Sequence, residues 1–312
     1  MHRSTLAALL AAALLAAGAG SASANPPTPT NPAGPELGVV PVHGQASKHA
    51  GGGSNLVYHG GPVMGTNTTH AIYWGPASSF AAGYQTVIDG FLGNVAAASG
   101  LSSNVYWSDT QYYGPTGAHI TYSSTFGADS ILDTDAIPND CRDSYTPNAC
   151  VSDTAMQAEI EKVAPASWHG PNSVIFVFTG KNIGSCFGSS TCAFSYYCAY
   201  HSNLSDDTAY ANMPYAMTVP AACGSGQSPN GNDADSTINV ASHEHNESIT
   251  DPLGSAWFDQ RGQEDGDKCA WNFGTALGGA TGAKYNQVIG AGHYYLQQEW
   301  SNQRSGCVLT GL

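Results

Sequence analysis

Eight cysteines stand in this chain, Cys141, Cys150, Cys186, Cys192, Cys198, Cys223, Cys269 and Cys307. How they are read depends on the N-terminus. His2 and Arg3 open a short charged stretch, Leu6 to Ala17 run apolar, and Ala22-Ser23-Ala24 supply small residues. These are the three parts of a secretory signal peptide, expected over residues 1–24. In an exported chain an even cysteine count is first a set of disulfides, and the spacings are not the tight pairs of a zinc knuckle. Pairing neighbours in order, 141 with 150, 186 with 192, 198 with 223 and 269 with 307, closes the shortest loops. Four such bridges would restrict the unfolded chain by several kcal/mol in total.

Removing the signal from 312 residues leaves about 290, enough for one large domain with a sizeable core. No later segment is apolar over the ~18 residues of a membrane span, so a soluble, secreted protein is expected, without membrane contact and as a monomer. Acidic residues outnumber basic ones 23 to 9 and the formal net charge is −14. That surface repels phosphate backbones and lacks the basic patch that counterion release requires, which argues against nucleic acid as a partner.

Residues 25–54 are rich in Pro, Gly, Thr and Asn, and we read them as a flexible leader that cannot bury enough surface to offset its ordering entropy. The domain is expected over 55–312. His70-Ala-Ile-Tyr-Trp-Gly reads as a strand, and Tyr84 to Ala98 as a helix with Val87, Ile88, Phe91, Leu92 and Val95 on one face. Residues 104–107, 119–122, 210–219 and 293–300 read as β-type. Thr154 to Val163 repeats the helical spacing behind Ser152 or Asp153 and stops at Pro165. Ser173-Val-Ile-Phe-Val-Phe-Thr reads as a strand buried on both faces. A further helix is expected over Ser236 to Ile249, capped by Asp235 or Ser236 and ended by Thr250-Asp251-Pro252. Interleaved strands and helices give a single α/β or α+β domain, a mixed sheet with packed helices.

On that last helix His243 and Glu247 lie four apart and share a face, with Glu244 beside His243. An imidazole and a carboxylate one turn apart, next to a second carboxylate, suit a zinc hydrolase: His243 and Glu247 would bind the metal and Glu244 would act as the general base. The pattern is H-E-x-x-E, less diagnostic than H-E-x-x-H, and His245 points away around the helix. Third-ligand candidates are Glu264 and Asp267 in the loop Gln263-Glu-Asp-Gly-Asp-Lys-Cys269, which a Cys269–Cys307 bridge would hold rigid. The bland alternative makes Glu244 and Glu247 solvated helix acids and lets His243 cap or pack. His59, His119, His169, His201 and His293 lack ligand spacing and read as surface or hydrogen-bonded residues, with His201 or His293 at most lining the cleft. Tyr196, Tyr197 and Tyr200 read as packing residues. Asn67-Thr-Thr and Asn203-Leu-Ser match the short glycosylation pattern.

Tyr58-His-Gly-Gly-Pro, Ala71-Ile-Tyr-Trp-Gly, the Phe91-Leu segment, the Cys186 to Cys192 loop, Thr250-Asp-Pro and Tyr295-Leu-Gln-Gln-Glu-Trp-Ser-Asn with Cys307 resemble the phosphate-induced protein 1 or EXORDIUM-like family, across residues 56–312. Plant members are extracellular, cell-wall-associated proteins linked to growth and generally lack the His-Glu pair. Bacterial relatives commonly show H-E-x-x-E, Thr-Asp-Pro and an E-x-x-D-x-C loop, which Glu264, Asp267 and Cys269 match. The resemblance implies a zincin-like secreted protein whose activity the family leaves undefined.

Two functions are therefore expected to compete. One is a secreted hydrolase dependent on zinc or another divalent cation, a peptidase acting on peptide or protein substrate. The other is a non-catalytic extracellular protein that binds cell-wall polysaccharide. A glycosidase with paired acids is weaker, because no spacing singles out an acid and nucleophile pair.

Overall fold

The computed structural model describes residues 38–45, 54–127, 130–188 and 191–312. The signal peptide and the remainder of the expected leader up to residue 53 lie outside them. Seven strands form the main sheet: β1 Val39–Pro41, β2 Asn67–Trp74, β3 Ser124–Phe126, β4 Ile131–Asp133, β5 Ser173–Thr179, β6 Tyr197–Asn203 and β7 Ala209–Met213. Their order is β1-β6-β7-β5-β2-β3, with β4 also pairing β2. The β7, β5, β2, β3 and β4 pairings are parallel, whereas β1 and β7 flank β6 antiparallel. The apolar run Ser173–Thr179 takes a central place and all seven of its residues are buried, as a parallel strand covered on both faces requires. The single mixed α/β domain matches the class read from the sequence.

Three longer helices pack around this sheet: α1 Tyr84–Ala97, α2 Asp153–Val163 and α3 Ala234–Thr250. On α1 the expected stripe is buried at Ile88, Phe91, Leu92 and Val95, and half-buried at Val87. The α2 helix starts where the Ser152 hydroxyl accepts the Ala155 N–H at 3.2 Å. Among the described residues no helix is long and apolar enough to cross a membrane.

The α3 helix is of another kind. All 17 of its residues are buried, although most are polar, so it is a central helix rather than a surface one. Buried polar groups need internal partners, and several fold back on the helix: Ser248 Oγ donates to the Glu244 carbonyl at 2.6 Å and Asn246 Nδ2 to the Ser242 carbonyl at 2.6 Å. It begins two residues before the expected start, and its cap is not Asp235 or Ser236. Asp235 instead accepts the N–H groups of Asn230 and Asn232 in the preceding turn, while Asn232 Oδ1 accepts from Ala234 N–H at 3.0 Å. Its end falls as expected before Pro252, where Asp251 Oδ1 accepts the N–H groups of Ser255 and Ala256 at 2.6 and 2.7 Å.

Further sequence expectations fail here: residues 119–122 hold only an isolated bridge at His119, and the β-type run 210–219 is strand only to Met213, with a 3-10 turn at Ala216–Thr218. Residues 105–111 form a 3-10 helix instead of a strand, started by the Asn104 side chain accepting from Tyr106 N–H; a short polar cap outweighs the β-type run. Residues 38–45 of the expected flexible leader are ordered, and Val39–Pro41 is the sheet's edge strand. Val39, Val40 and Val42 are apolar enough to hold that segment once an open strand is beside it. The four disulfides join Cys141–Cys150, Cys186–Cys192, Cys198–Cys223 and Cys269–Cys307, the expected pairing.

Candidate metal centre

Alternation along β6 splits its side chains between two helices. Tyr200 turns to α2, where its hydroxyl donates to Asp153 Oδ1 at 2.7 Å, and His201 turns to α3, with Nδ1 3.0 Å from Glu244 Oε2. A third wall is the loop 263–269, tied down by Cys269–Cys307. His201, Glu244, Glu247, Glu264 and Asp267 meet between these elements with His243, and none is more than 8% exposed. The alternative of solvated helix acids does not survive this burial.

Contacts within the cluster are close. His243 Nε2 is 2.8 Å from Glu247 Oε1 and 3.8 Å from Asp267 Oδ1. His243 Nδ1 abuts the side-chain amide of Gln297, whose own backbone N–H donates to Asn239 at 2.7 Å. This leaves Nε2 as the nitrogen facing the acids. Glu247 Oε1 accepts the Asp267 N–H at 2.9 Å, while Glu247 Oε2 is 3.6 Å from His201 Nδ1. Glu264 Oε1 lies 3.9 Å from His201 Nε2. Two sets of possible ligand atoms each fall within 4.8 Å of one another, His201-Glu247-Glu264 and His243-Glu244-Glu247. Glu247 belongs to both and links them.

Both third-ligand candidates thus reach the cluster, in different places. Glu264 gathers with His201 and Glu247, and Asp267 stands nearer His243 while lending its backbone N–H to Glu247. Sequence reasoning missed two residues. His201, expected at the surface or at most lining the cleft, is central; the available signal is its place next to Tyr200 in an alternating strand. Gln297 lies within the Tyr295-Leu-Gln-Gln-Glu-Trp-Ser-Asn segment that carries the family resemblance, but nothing in that segment marks it as the partner of His243. His245 does point away as expected, contacting Tyr106 Oη at 3.2 Å and Asn67 Oδ1 at 3.0 Å. That contact buries Asn67 and makes it a poor glycan acceptor.

Electrostatics make this an expensive place to leave empty of positive charge. Burial, reinforced by neighbouring carboxylates, pushes Glu247, Glu264 and Asp267 far above the ordinary carboxylate range. Burial likewise raises Asp265 and Asp251 to about 6. Burial alone would lower His201, but the hydrogen bond and charge of Glu244, with Glu247, turn the net effect upward. Lys268 does not supply the missing charge, for its ammonium pairs with Asp259 at 3.0 Å over the Trp300 ring. Two buried carboxylate oxygens, Glu247 Oε2 and Glu264 Oε1, have no hydrogen-bond partner among the described residues, and His243 Nε2 meets the Glu247 carboxylate at 2.8 Å without hydrogen-bond alignment. Unpaired lone pairs in a sealed acidic pocket are what a bound cation would satisfy.

Fold and cluster together define a disulfide-bonded α/β protein with a buried histidine–carboxylate centre. The chain is 27% identical over 303 residues to Protein EXORDIUM-like 3 of Arabidopsis thaliana, covering 84% of this chain and 86% of that protein. A similarity of that extent supports the EXORDIUM-like resemblance of the motifs. No protein-family model matches the chain, and no solved structure does.

Proposed function

We propose that this protein is an extracellular, EXORDIUM-like protein whose buried cluster binds one divalent cation. The observation that carries this reading is the sharing of Glu247 between two buried sets of possible ligand atoms, His201-Glu247-Glu264 and His243-Glu244-Glu247, in which Glu247 Oε2 and Glu264 Oε1 lack hydrogen-bond partners among the described residues. Imidazole and carboxylate donors fit zinc, the cation we propose, and His243, Glu247, His201 and Glu264 would hold it. Similarity to Protein EXORDIUM-like 3 supports an extracellular role without catalysis. The geometry adds to that, because Glu244 accepts the Val40 N–H at 3.2 Å and the whole cluster is covered. Metal analysis of the purified protein is expected to give about one equivalent per chain. A content well below that, unchanged in His243→Ala, would end the proposal.

A second reading, the zinc-dependent peptidase, is favoured by one placement. Glu244 is adjacent to His243 on α3, and its Oε2 is held by His201 Nδ1 at 3.0 Å. A bound cation would supply Lewis-acid activation of a carbonyl. Glu244 would take up the proton of the attacking water, and His201 would hold that carboxylate in place. Casein and peptide hydrolysis should then vanish in Glu244→Gln while metal content persists. Equal activity in wild type and variant removes the catalytic role and leaves the binding reading standing.

A further inference from the structure

Residues 38–45 lie across the cluster, as the strand Val39–Pro41 followed by a turn at 43–45, and their polar groups are matched on both sides. Gly38 N–H donates to Glu264 Oε2 at 2.5 Å, and Val40 N–H to Glu244 Oε1 at 3.2 Å. Along the edge of β6, His201 N–H donates to the Gly38 carbonyl at 2.9 Å and Val42 N–H to the Tyr196 carbonyl at 3.2 Å. On the other side Trp271 Nε1 donates to the Pro41 carbonyl at 2.8 Å, and the His43 ring lies 3.8 Å from that of Trp271. Val40 is fully buried. This is a groove with a wall of sheet edge, a wall formed by the loop ending at Trp271, and a floor of site carboxylates. An extended chain adds to it as strands add to open sheet edges.

The occupant differs from the rest of the sheet in how it is attached. It precedes the domain and joins it through residues 46–53, Ala-Ser-Lys-His-Ala-Gly-Gly-Gly, whereas every other strand of the sheet is embedded between elements of the fold. Without it β6 would be an open edge, and Glu244 and Glu264 would each lose a backbone donor.

We propose that this groove is a binding site for an extended peptide, filled here by the chain's own residues 38–45, and that displacing them frees the site for a peptide of the same kind. The peptide it takes carries glycine over His201, because a Cβ at Gly38 would meet the His201 ring at 2.8 Å and Gly38 has φ +70°. Two residues on, it carries an aliphatic side chain in the buried Val40 position. The inference rests on backbone hydrogen bonds and fit, so it holds whether or not the cluster binds a cation.

The test uses the full chain with residues 46–53 replaced by a specific protease recognition sequence and cut after folding. The probe is a fluorescent synthetic peptide of residues 36–45, followed by polarisation. The cut protein is expected to take up the probe saturably and release it to unlabelled peptide, while uncut protein takes up none. A probe carrying Gly38→Val should bind about tenfold weaker or worse. Uncut Val40→Pro, which lacks the N–H that Glu244 accepts, should also bind the probe. Failure of both the cut chain and Val40→Pro to bind it overturns the proposal. Equal binding of the Gly38→Val probe does so too, as does loss of the folded circular-dichroism spectrum when the segment leaves.

Discussion

Glu247 is the residue on which the centre turns, since it belongs to both ligand sets and receives the Asp267 N–H. Glu247→Gln should therefore weaken cation binding by about 100-fold or more, beyond what loss of an outer partner causes. His201→Ala should weaken it as well, while His293→Ala, whose ring stacks on Tyr285 away from the cluster, should leave it unchanged. Competition against a chromogenic chelator measures all three. His70 offers a separate prediction about pH. Its ring is buried against Trp168 at 4.4 Å, and burial, with nearby His169 second, lowers its pKa to about 4. The unfolded value is about 6.5, so the unfolded chain takes the proton first as pH falls. Stability from this residue is complete above about 6.5 and is lost as pH drops through about 4. His70→Phe keeps the stack and removes the proton site, and its urea midpoint should fall less steeply than wild type between pH 7 and 4.

At the scale of elements, the cross-links do unequal work. Cys269–Cys307 spans a sequence separation of 38 and Cys186–Cys192 one of 6. On the chain-entropy model, opening the first by double Cys→Ser substitution costs about 4 kcal/mol and the second about 2 kcal/mol. Denaturant midpoints should rank them so. The first also anchors the 3-10 turn Asp267–Cys269, so its loss should loosen cation binding, and loss of the second, which joins two strands of a small separate sheet beside Cys150, should not. The α3 helix shows the complementary rule. A helix with so few apolar side chains is stable only because the sheet and loops around it supply partners for its polar groups.

For the whole molecule, four buried acids gathered with two histidines make folding and cation occupancy a linked equilibrium. Any cation that binds only the folded chain stabilises it, by about 1.4 kcal/mol for each tenfold rise in free concentration above its Kd. Thermal midpoints should climb with added zinc and drop after chelation at neutral pH. A midpoint indifferent to both would mean that the pocket is kept neutral by protons alone, which the raised Glu247, Glu264 and Asp267 would permit.

Much of this was legible in the chain itself, for reasons of range. The buried strand Ser173–Thr179, the helices over 84–97 and 153–163, the disulfide pairing and the turn between His243 and Glu247 all depend on residues close in sequence or on simple loop length. The third side of the site depends on contacts across the fold. His201 lies 43 residues from Glu244 and Gly38 lies 226 from Glu264, and no local pattern encodes which sheet edge a chain end will join. The sequence by itself determined an oxidised α/β domain with a metal-suited helix. Only the tertiary structure decided that this helix is sealed within the molecule, with a histidine from the neighbouring strand and a strand from the leader closing over it.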